Sequence, residues 1–442
     1  MKPIDQVLRP SIHFTPRSGW VNDPLGLTFR DGLYHLFFQF APGTTTWSAQ
    51  AAWGHATSPD GLHWTEVAVA LAPGDGDFGV WSGSLVCPPD EAAVIFYTSV
   101  LEADVQVGRI RTALACDDGW EAWLKGEIVV PAPPAADVVV FRDPQVFAEG
   151  DRWRMIVGAG LADGTALAFG YVSDDLQHWD HTGPVLVRHK DEAGPVWTGA
   201  VWECPQLFRI GDLWVLTVSV WEPFVPHYEA YAIGTLVEGR FEARSWARLT
   251  YGPSYYAGSA YAEPDGSRGI IYWLRGVDDV TAGWASAHSV PHALRIEGDR
   301  VIAEPHHAIA RLRTGALVFG PDGISEAEVG PLFDLDWTAS VGDSLTVAGF
   351  GGIELVRCTA AHGTLEIRVG EETWTLPLVD ERVRVLLDGP IVEVFATAGV
   401  FAAPLPGIPP TVTVRLAGQG PLRLYPLESS SSKKVSALAS DR

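Results

Sequence analysis

The sequence predicts an all-β chain, a five-bladed β-propeller followed by a β-sandwich, and three observations predict it. First, an acidic residue leads a short turn into an aromatic-ended strand three times: Asn22-Asp23-Pro24, Arg142-Asp143-Pro144 and Glu203-Cys204-Pro205, within WVNDPLGLTF, VFRDPQVF and WECPQLF. Asp143 follows Asp23 by 120 residues and Glu203 follows Asp143 by 60; the midpoint of the first interval falls on WSGSLV (81–86), and one further step past Glu203 falls on YYAGSAY (255–261). Second, GHATSPDGLHW (54–64), ALACDDGWEAW (113–123) and GYVSDDLQHW (170–179) read as one element repeated, with Asp60, Asp118 and Asp175 spaced by 58 and 57 residues. Self-similarity at this period, with several short β segments per unit, is the signature of a propeller. Third, long helical periodicity is nearly absent, whereas two-residue alternation such as Leu365-Glu366-Ile367-Arg368-Val369 recurs.

Each blade opens on an inner strand (LGLTF, SLVC, QVFA, QLFR, SAYA). It continues through a strand such as LYHLFFQF, AAVIFYTS, RWRMIVGAG, LWVLTVSVW or GIIYWLR. Five such sets fill residues 1–304; five unrelated hairpins in a sandwich are the competing arrangement. Residues 305–332 are rich in Pro and Gly turn signals and read as a linker on the propeller surface. Residues 333–428 carry seven or eight short strands without the blade signature, which suggests a β-sandwich with Val383, Val385 and Leu387 on one face. The polar stretch 429–442 reads as a disordered tail.

A chain of 442 residues is more than one core usually serves, and 47% hydrophobic residues suffice for sizeable cores. A formal charge of −23 repels phosphate backbones and anionic lipid, so neither nucleic acid nor membrane is expected as a partner; a small neutral carbohydrate fits. No apolar run spans a bilayer, and MKPIDQVLRPSIHF lacks the apolar core of a secretory signal. With four scattered cysteines (Cys87, Cys116, Cys204, Cys358) and no CxxC pair, the reading is a cytoplasmic protein with reduced, mostly buried thiols; a processed secreted form is the alternative. No metal or organic cofactor is expected, and His306-His307 reads as a solvated loop pair. The 18 Trp and 11 Tyr agree with aromatic faces against sugar rings, although most will pack between blades.

A propeller brings equivalent positions of every blade to one axis, so Asp23, Asp143 and Glu203 would share a pocket. Paired carboxyl groups are the usual tools for breaking a glycosidic bond, one ionised to attack and one protonated to serve the leaving oxygen. Glu203, between Trp202 and Cys204 and near Trp197, is the better acid, because apolar walls favour a protonated carboxyl. Asp23 has Asn22 beside it as a donor and is the better nucleophile. Asp143 follows Arg142, whose fixed charge is expected to keep it ionised for gripping sugar hydroxyls. A single Asp-Pro turn is usually structural; three at blade-sized intervals are the argument.

These motifs resemble those of the glycoside hydrolase family 32 enzymes, the invertase, inulinase and levanase group. WVNDPLG looks like that family's WMNDPNG box, FRDPQVF its RDP box, WECPQLF its EC box and WSGS its FSGS box. FFQFAP, the Trp47 loop and VRVLLDGPIVEVFATAG are family-like too, so the likeness runs from Phe14 to Leu427. The resemblance implies a retaining mechanism on β-fructosides: Asp23 attacks the anomeric carbon, Glu203 serves as acid and then base, and Asp143 with Arg142 holds ring hydroxyls. It further implies that Asn22, Gln39, Trp47, Trp81 and Ser82 line the fructose subsite, with Tyr256 and Trp273 as looser matches.

The chain departs from the pattern at four places. Leu25 stands for the second Asn of the first box, Ala41 for a frequent Asn, Gln206 for a frequent acid, and Pro291-His292-Ala293-Leu294 lacks the Arg of a PREL-like segment. Leu25 would remove a polar group that helps orient Asp23, which keeps a fructosyltransferase, including an anhydride-forming one, as the alternative to a hydrolase of sucrose or short fructans. An inverting pentosanase and a non-catalytic sugar-binding protein complete the alternatives.

Overall fold

The computed structural model describes residues 8–89, 91–321 and 323–429; the predicted tail, apart from Ser429, and the first seven residues lie outside them. Five antiparallel four-stranded units follow one another along the chain. Their inner strands are Gly19–Arg30, Gly79–Val86, Val138–Glu149, Val201–Ile210 and Tyr255–Ala262. Each inner strand packs on the next, and the fifth packs on the first, so the ring closes into a five-bladed propeller. Hydrogen bonds also link blades: Gly19–Arg30 of the first runs parallel to Trp284–His288, which pairs with Arg268–Asp279 of the fifth.

One local feature recurs in all five inner strands. Pairing with the second strand of the blade slips between Val21 and Pro24, Trp81 and Gly83, Arg142 and Gln145, Glu203 and Gln206, and Tyr256 and Ser259. Each slip is a β-bulge, which bends a strand and re-aims its side chains. Three bulges hold a non-glycine residue at positive φ: Asp143 (63°), Cys204 (45°) and Ala257 (51°). Side chains rarely accept that backbone region. Pro144 and Pro205 fall inside the slips of the third and fourth blades, where a missing N–H has no register partner to lose, and Pro24 closes the slip of the first.

The second repeat is a turn device, with a one-residue correction. Asp60 accepts the backbone N–H groups of Leu62 and His63 at 3.0 and 2.9 Å, and Asp175 accepts those of Gln177 and His178 at 2.9 and 2.8 Å. In the second blade the carboxylate that closes the turn is Asp117, bonded to the N–H groups of Glu121 and Ala122, while Asp118 is exposed.

The sandwich stacks two sheets. One contains Gly399–Pro404, Ile391–Ala396, Arg382–Asp388, Leu332–Thr338 and Leu422–Pro426; the other contains Val412–Ala417, Ser344–Ala348, Glu354–Ala361, Thr364–Val369 and Glu372–Pro377. Within 305–332, Leu317–Phe319 pairs with the first sheet and Glu326–Val329 with the second. Val383, Val385 and Leu387 enter the sandwich core as expected. Leu386, on the other face of the same strand, joins Ile391, Phe395 and Val400 in a cluster with Tyr255, Tyr272 and Leu274 of the fifth blade. The sandwich thus shares an apolar core with that blade, and Thr250–Tyr251 pairs directly with Gly399–Pro404.

Two expectations are corrected. Only Cys204 and Cys358 are buried; Cys87 and Cys116 are exposed because each lies just past the end of a strand, and all four thiols are free. His306 is buried, not solvated: its Nδ1 accepts the Ala308 N–H at the start of a 3-10 turn, and its Nε2 lies 3.0 Å from Glu263 Oε1. Among the described residues no helix is long and apolar enough to cross a membrane.

Candidate active site

The bulges of the first, third and fourth blades carry Asp23, Asp143 and Glu203 to one end of the propeller axis. A single thiol measures their convergence. Cys204 Sγ lies 3.6 Å from Asp23 Oδ2 and 3.6 Å from Asp143 Oδ2, and the Cys204 N–H donates to the same Asp143 oxygen at 2.9 Å. Asp23 also accepts Asn22 Nδ2 at 3.0 Å on Oδ1 and the Ser82 hydroxyl at 2.5 Å on Oδ2. The backbone beneath is fixed as well: His288 Nε2 sits 2.7 Å from the Asn22 carbonyl. The Asp143 N–H donates to Thr98 Oγ1 at 2.8 Å, whose own hydroxyl donates to the Ser82 carbonyl at 2.9 Å.

Glu203 is held by two donors. Arg142 Nε reaches Oε1 at 3.0 Å and the Tyr256 hydroxyl reaches Oε2 at 2.5 Å. Arg142 lies between the rings of Trp81 and Trp221, at 5.6 and 5.3 Å, and its Nη1 donates to the Gln106 side-chain oxygen at 3.1 Å. This corrects the sequence reading in two ways. The guanidinium grips Glu203, not its neighbour Asp143. The walls around Glu203 are Tyr256 and the Arg142–tryptophan stack, because strand alternation turns Trp202 to the other face, fully buried against Trp246 at 5.8 Å. Trp197 lies apart, with its Nε1 on the Lys190 carbonyl.

Burial dominates the electrostatics. It raises the pKa of Asp23 above the usual carboxylate range; Ser82, Asn22 and Cys204 oppose it by donating, and the charge of Glu203 adds to it. Asp143, 5% exposed, is pushed up to about 7, chiefly by burial and further by Glu203 and Asp23, with Arg142 opposing. Arg142, expected to keep Asp143 ionised, does lower its pKa, but desolvation and two like charges outweigh it. Burial and the same acids push the Cys204 thiol well above its normal range, and burial with Glu203 does the same to the Tyr256 phenol. Both stay protonated and serve as donors.

The remaining predicted residues lie around this centre. Gln39 is buried and donates to the Val80 carbonyl at 2.8 Å, tying the first blade to the strand that carries Trp81. Trp47, 53% exposed, stands edge-on to Trp81 at 5.9 Å. Trp273 meets Tyr256 edge-on at 6.3 Å and donates to Ser286 Oγ at 2.9 Å. Leu25 is not at the acids: it is buried with Phe37, Trp53, Val80 and Tyr97 between the first two blades. Gln206 accepts the Ala260 N–H at 3.3 Å and serves as a bridge to the fifth blade. Sequence reasoning missed Thr98, Gln106, Trp221 and the role of the Cys204 thiol. Cys204 was visible inside its motif; the others sit on second and third strands with no local signal.

Three carboxyl groups, Asp143 buried and Asp23 and Glu203 partly exposed, with four neutral donors (Asn22, Ser82, Cys204 and Tyr256) and one arginine, can supply an attacking oxygen, a proton and a grip on hydroxyls. Among the described residues no group of three His, Cys, Asp or Glu side chains is arranged to hold a metal ion.

Residues 13–305 match the model of the glycosyl hydrolases family 32 N-terminal domain. A sucrose-6-phosphate hydrolase of Zymomonas mobilis is 31% identical over 344 residues, 72% of this chain and 66% of that protein, so the match spans slightly less than two thirds of the relative. A fructan 6-exohydrolase of Beta vulgaris is 29% identical over 352 residues, 70% of this chain and 56% of that protein. The structure of a Bombyx mori GH32 beta-fructofuranosidase superposes with a TM-score of 0.82 at 24% identity, over 96% of this chain and 94% of that one, which shows the shared fold. A fructan 1-exohydrolase of Cichorium intybus, solved in complex with 1-kestose, gives 0.80 at 19% identity over 96% and 98%.

Proposed function

The chain belongs to glycoside hydrolase family 32, and we propose that it is a retaining β-fructofuranosidase releasing terminal fructose from sucrose or short fructans. Asp23 attacks the anomeric carbon of a fructofuranosyl unit and forms a fructosyl-aspartate. Glu203 gives its proton to the departing glycosidic oxygen, then takes one from the water that releases fructose. Asp143 accepts from ring hydroxyls. As positive charge develops on the ring, the surrounding carboxyl groups stabilise it.

The observation that carries this reading is the shared thiol contact: Asp23 and Asp143 lie together on Cys204, one residue from Glu203. The raised pKa of Asp143 fits a group that can be either donor or acceptor to a sugar hydroxyl near neutral pH. The names of the relatives support sucrose and fructan classes of substrate. Leu25, the departure that favoured transfer to a sugar acceptor, is buried between blades, which leaves hydrolysis as the better-supported reading.

The test is incubation of the purified chain with sucrose, sucrose 6-phosphate, and inulin and levan oligosaccharides, with products resolved by chromatography at low and high sugar concentration. Free fructose as the main product supports the reading; oligosaccharide or anhydride products identify a transferase, and no product contradicts both.

A further inference from the structure

Tyr255 and Tyr256 are consecutive in the inner strand of the fifth blade and point opposite ways. The Tyr256 hydroxyl donates to Glu203 at 2.5 Å. The Tyr255 hydroxyl donates at 2.6 Å to Oε1 of Glu393, which lies on the sandwich strand Ile391–Ala396 and is fully buried. Glu393 is itself clamped from the propeller side: His292 Nε2 sits 3.0 Å from Oε1 and His13 Nε2 2.7 Å from Oε2. His13 Nδ1 lies 2.9 Å from Asp388 Oδ2, and the backbone N–H groups of Ser11, Ile12 and His13 donate to the same carboxylate at 2.7, 2.8 and 3.0 Å. The departure at His292 thus has a function in this chain, since its imidazole is spent on Glu393.

A buried ionic cluster of this size is a poor way to add stability, because well-packed apolar groups cost less to bury. What it offers is fixed geometry. Arg275 completes the fixation: its N–H donates to the Ser254 carbonyl at 2.9 Å, its Nη2 to the Tyr255 carbonyl at 3.3 Å, and its guanidinium lies 5.1 Å from the Tyr256 ring centroid. The bulge at Ala257 follows at once. The short segment 254–256 is therefore held at the backbone, at the sandwich end through Tyr255 and at the catalytic end through Tyr256.

We propose that Glu393, in the sandwich, is a positioning residue for Glu203: by fixing the Tyr255 hydroxyl it fixes the reach of Tyr256, and Tyr256 orients the carboxyl that protonates the leaving oxygen. The proposal rests on the reading of Glu203 as the acid. It predicts a defect confined to substrates whose leaving group needs that proton.

The test compares kcat/KM of the full chain on sucrose and on 4-nitrophenyl β-D-fructofuranoside, whose leaving group departs with little protonation. Glu393→Gln and Tyr255→Phe are each expected to lose on the order of tenfold on sucrose and less than about twofold on the aryl fructoside, in the range of a general-acid contribution weakened but not removed. Tyr256→Phe is expected to show the same selectivity with a larger loss. Equal losses on the two substrates, or no loss on sucrose, overturn the positioning role. Tyr255→Phe keeps the ring and its packing, so it decides the question where Glu393→Gln fails to fold. A wild-type chain inactive on both substrates overturns the fructosidase reading itself, a result distinct from equal losses in an active protein.

Discussion

Two clusters of carboxyl groups lie on opposite sides of the Tyr255–Tyr256 backbone, one partly open and one fully buried, and they are built on opposite principles. At the active centre three acids face one arginine, and burial plus mutual repulsion raises Asp23 and carries Asp143 to about 7. At the sandwich boundary Glu393 and Asp388 face His13 and His292. Burial opposes the charge on Glu393, but His13 and His292 outweigh it and hold Glu393 at about 2. Burial likewise opposes the charge on His13, and Glu393 and Asp388 outweigh it and hold His13 at about 9. The comparison teaches that one residue type serves two ends. Under-compensated, as at Asp143, a buried carboxyl can switch between donor and acceptor near neutral pH; compensated, as at Glu393, it stays charged and fixes a joint.

The largest effect that tests this contrast is on activity. Asp23→Ala and Glu203→Ala should each lower kcat on sucrose by on the order of 10³-fold or more, and the melting temperature of Asp23→Ala should hold or rise, since it removes a charge that repels Asp143. A variant with near-normal turnover ends the assignment of that residue. The other cluster should respond the opposite way. His13→Ala leaves Asp388 without its imidazole and Glu393 with His292 and Tyr255 alone, and chemical denaturation should show a loss of about 3–5 kcal/mol; a stability equal to wild type would mean the cluster is not a joint.

Leu25→Asn sharpens the boundary of the active centre. Because Leu25 is buried among Phe37, Trp53 and Tyr97, the variant should lose about 1–3 kcal/mol of stability with little change in product ratio. A shifted hydrolysis-to-transfer ratio at unchanged stability would return this position to the site.

The smallest effect is in pH dependence. Asp143 has a folded pKa above its unfolded value, so its contribution to stability is full below about pH 4 and is lost as pH rises through about 7. Asp143→Asn should flatten the fall in melting temperature across that window. The joint runs otherwise: the His13 contribution is full below 6.5 and lost as pH rises through about 9, and the Glu393 contribution is full above 4.5 and lost as pH falls through about 2. Its stabilisation is therefore complete between about 4.5 and 6.5. A Tm profile of Asp143→Asn as steep as wild type between pH 4 and 7 would contradict the first assignment.

Much of this molecule was legible in sequence because period carries architecture: acids at blade-sized intervals, inner strands in register with them, and a change of pattern near 333. What was not legible depends on residues that meet only after the ring closes. Nothing in FRDP says that Arg142 turns to Glu203, since the bulge at Asp143 sends adjacent side chains to different partners. Trp202 next to Glu203 in sequence became its opposite in space through strand alternation. Thr98 and Trp221 reach the site from second strands, where no motif marks them. Glu393 lay inside a recognisable stretch, but its pairing with His13, 380 residues away, is a property of the folded joint.

The most direct measurement is to trap the covalent intermediate. The Glu203→Gln variant, given 4-nitrophenyl β-D-fructofuranoside, can form the fructosyl-enzyme without acid help but lacks the base that releases it. Peptide mapping by mass spectrometry should then find one hexosyl group on the peptide containing Asp23, at that carboxyl. A label on Asp143, or aryl release that yields the inverted anomer with no labelled peptide, would contradict the account.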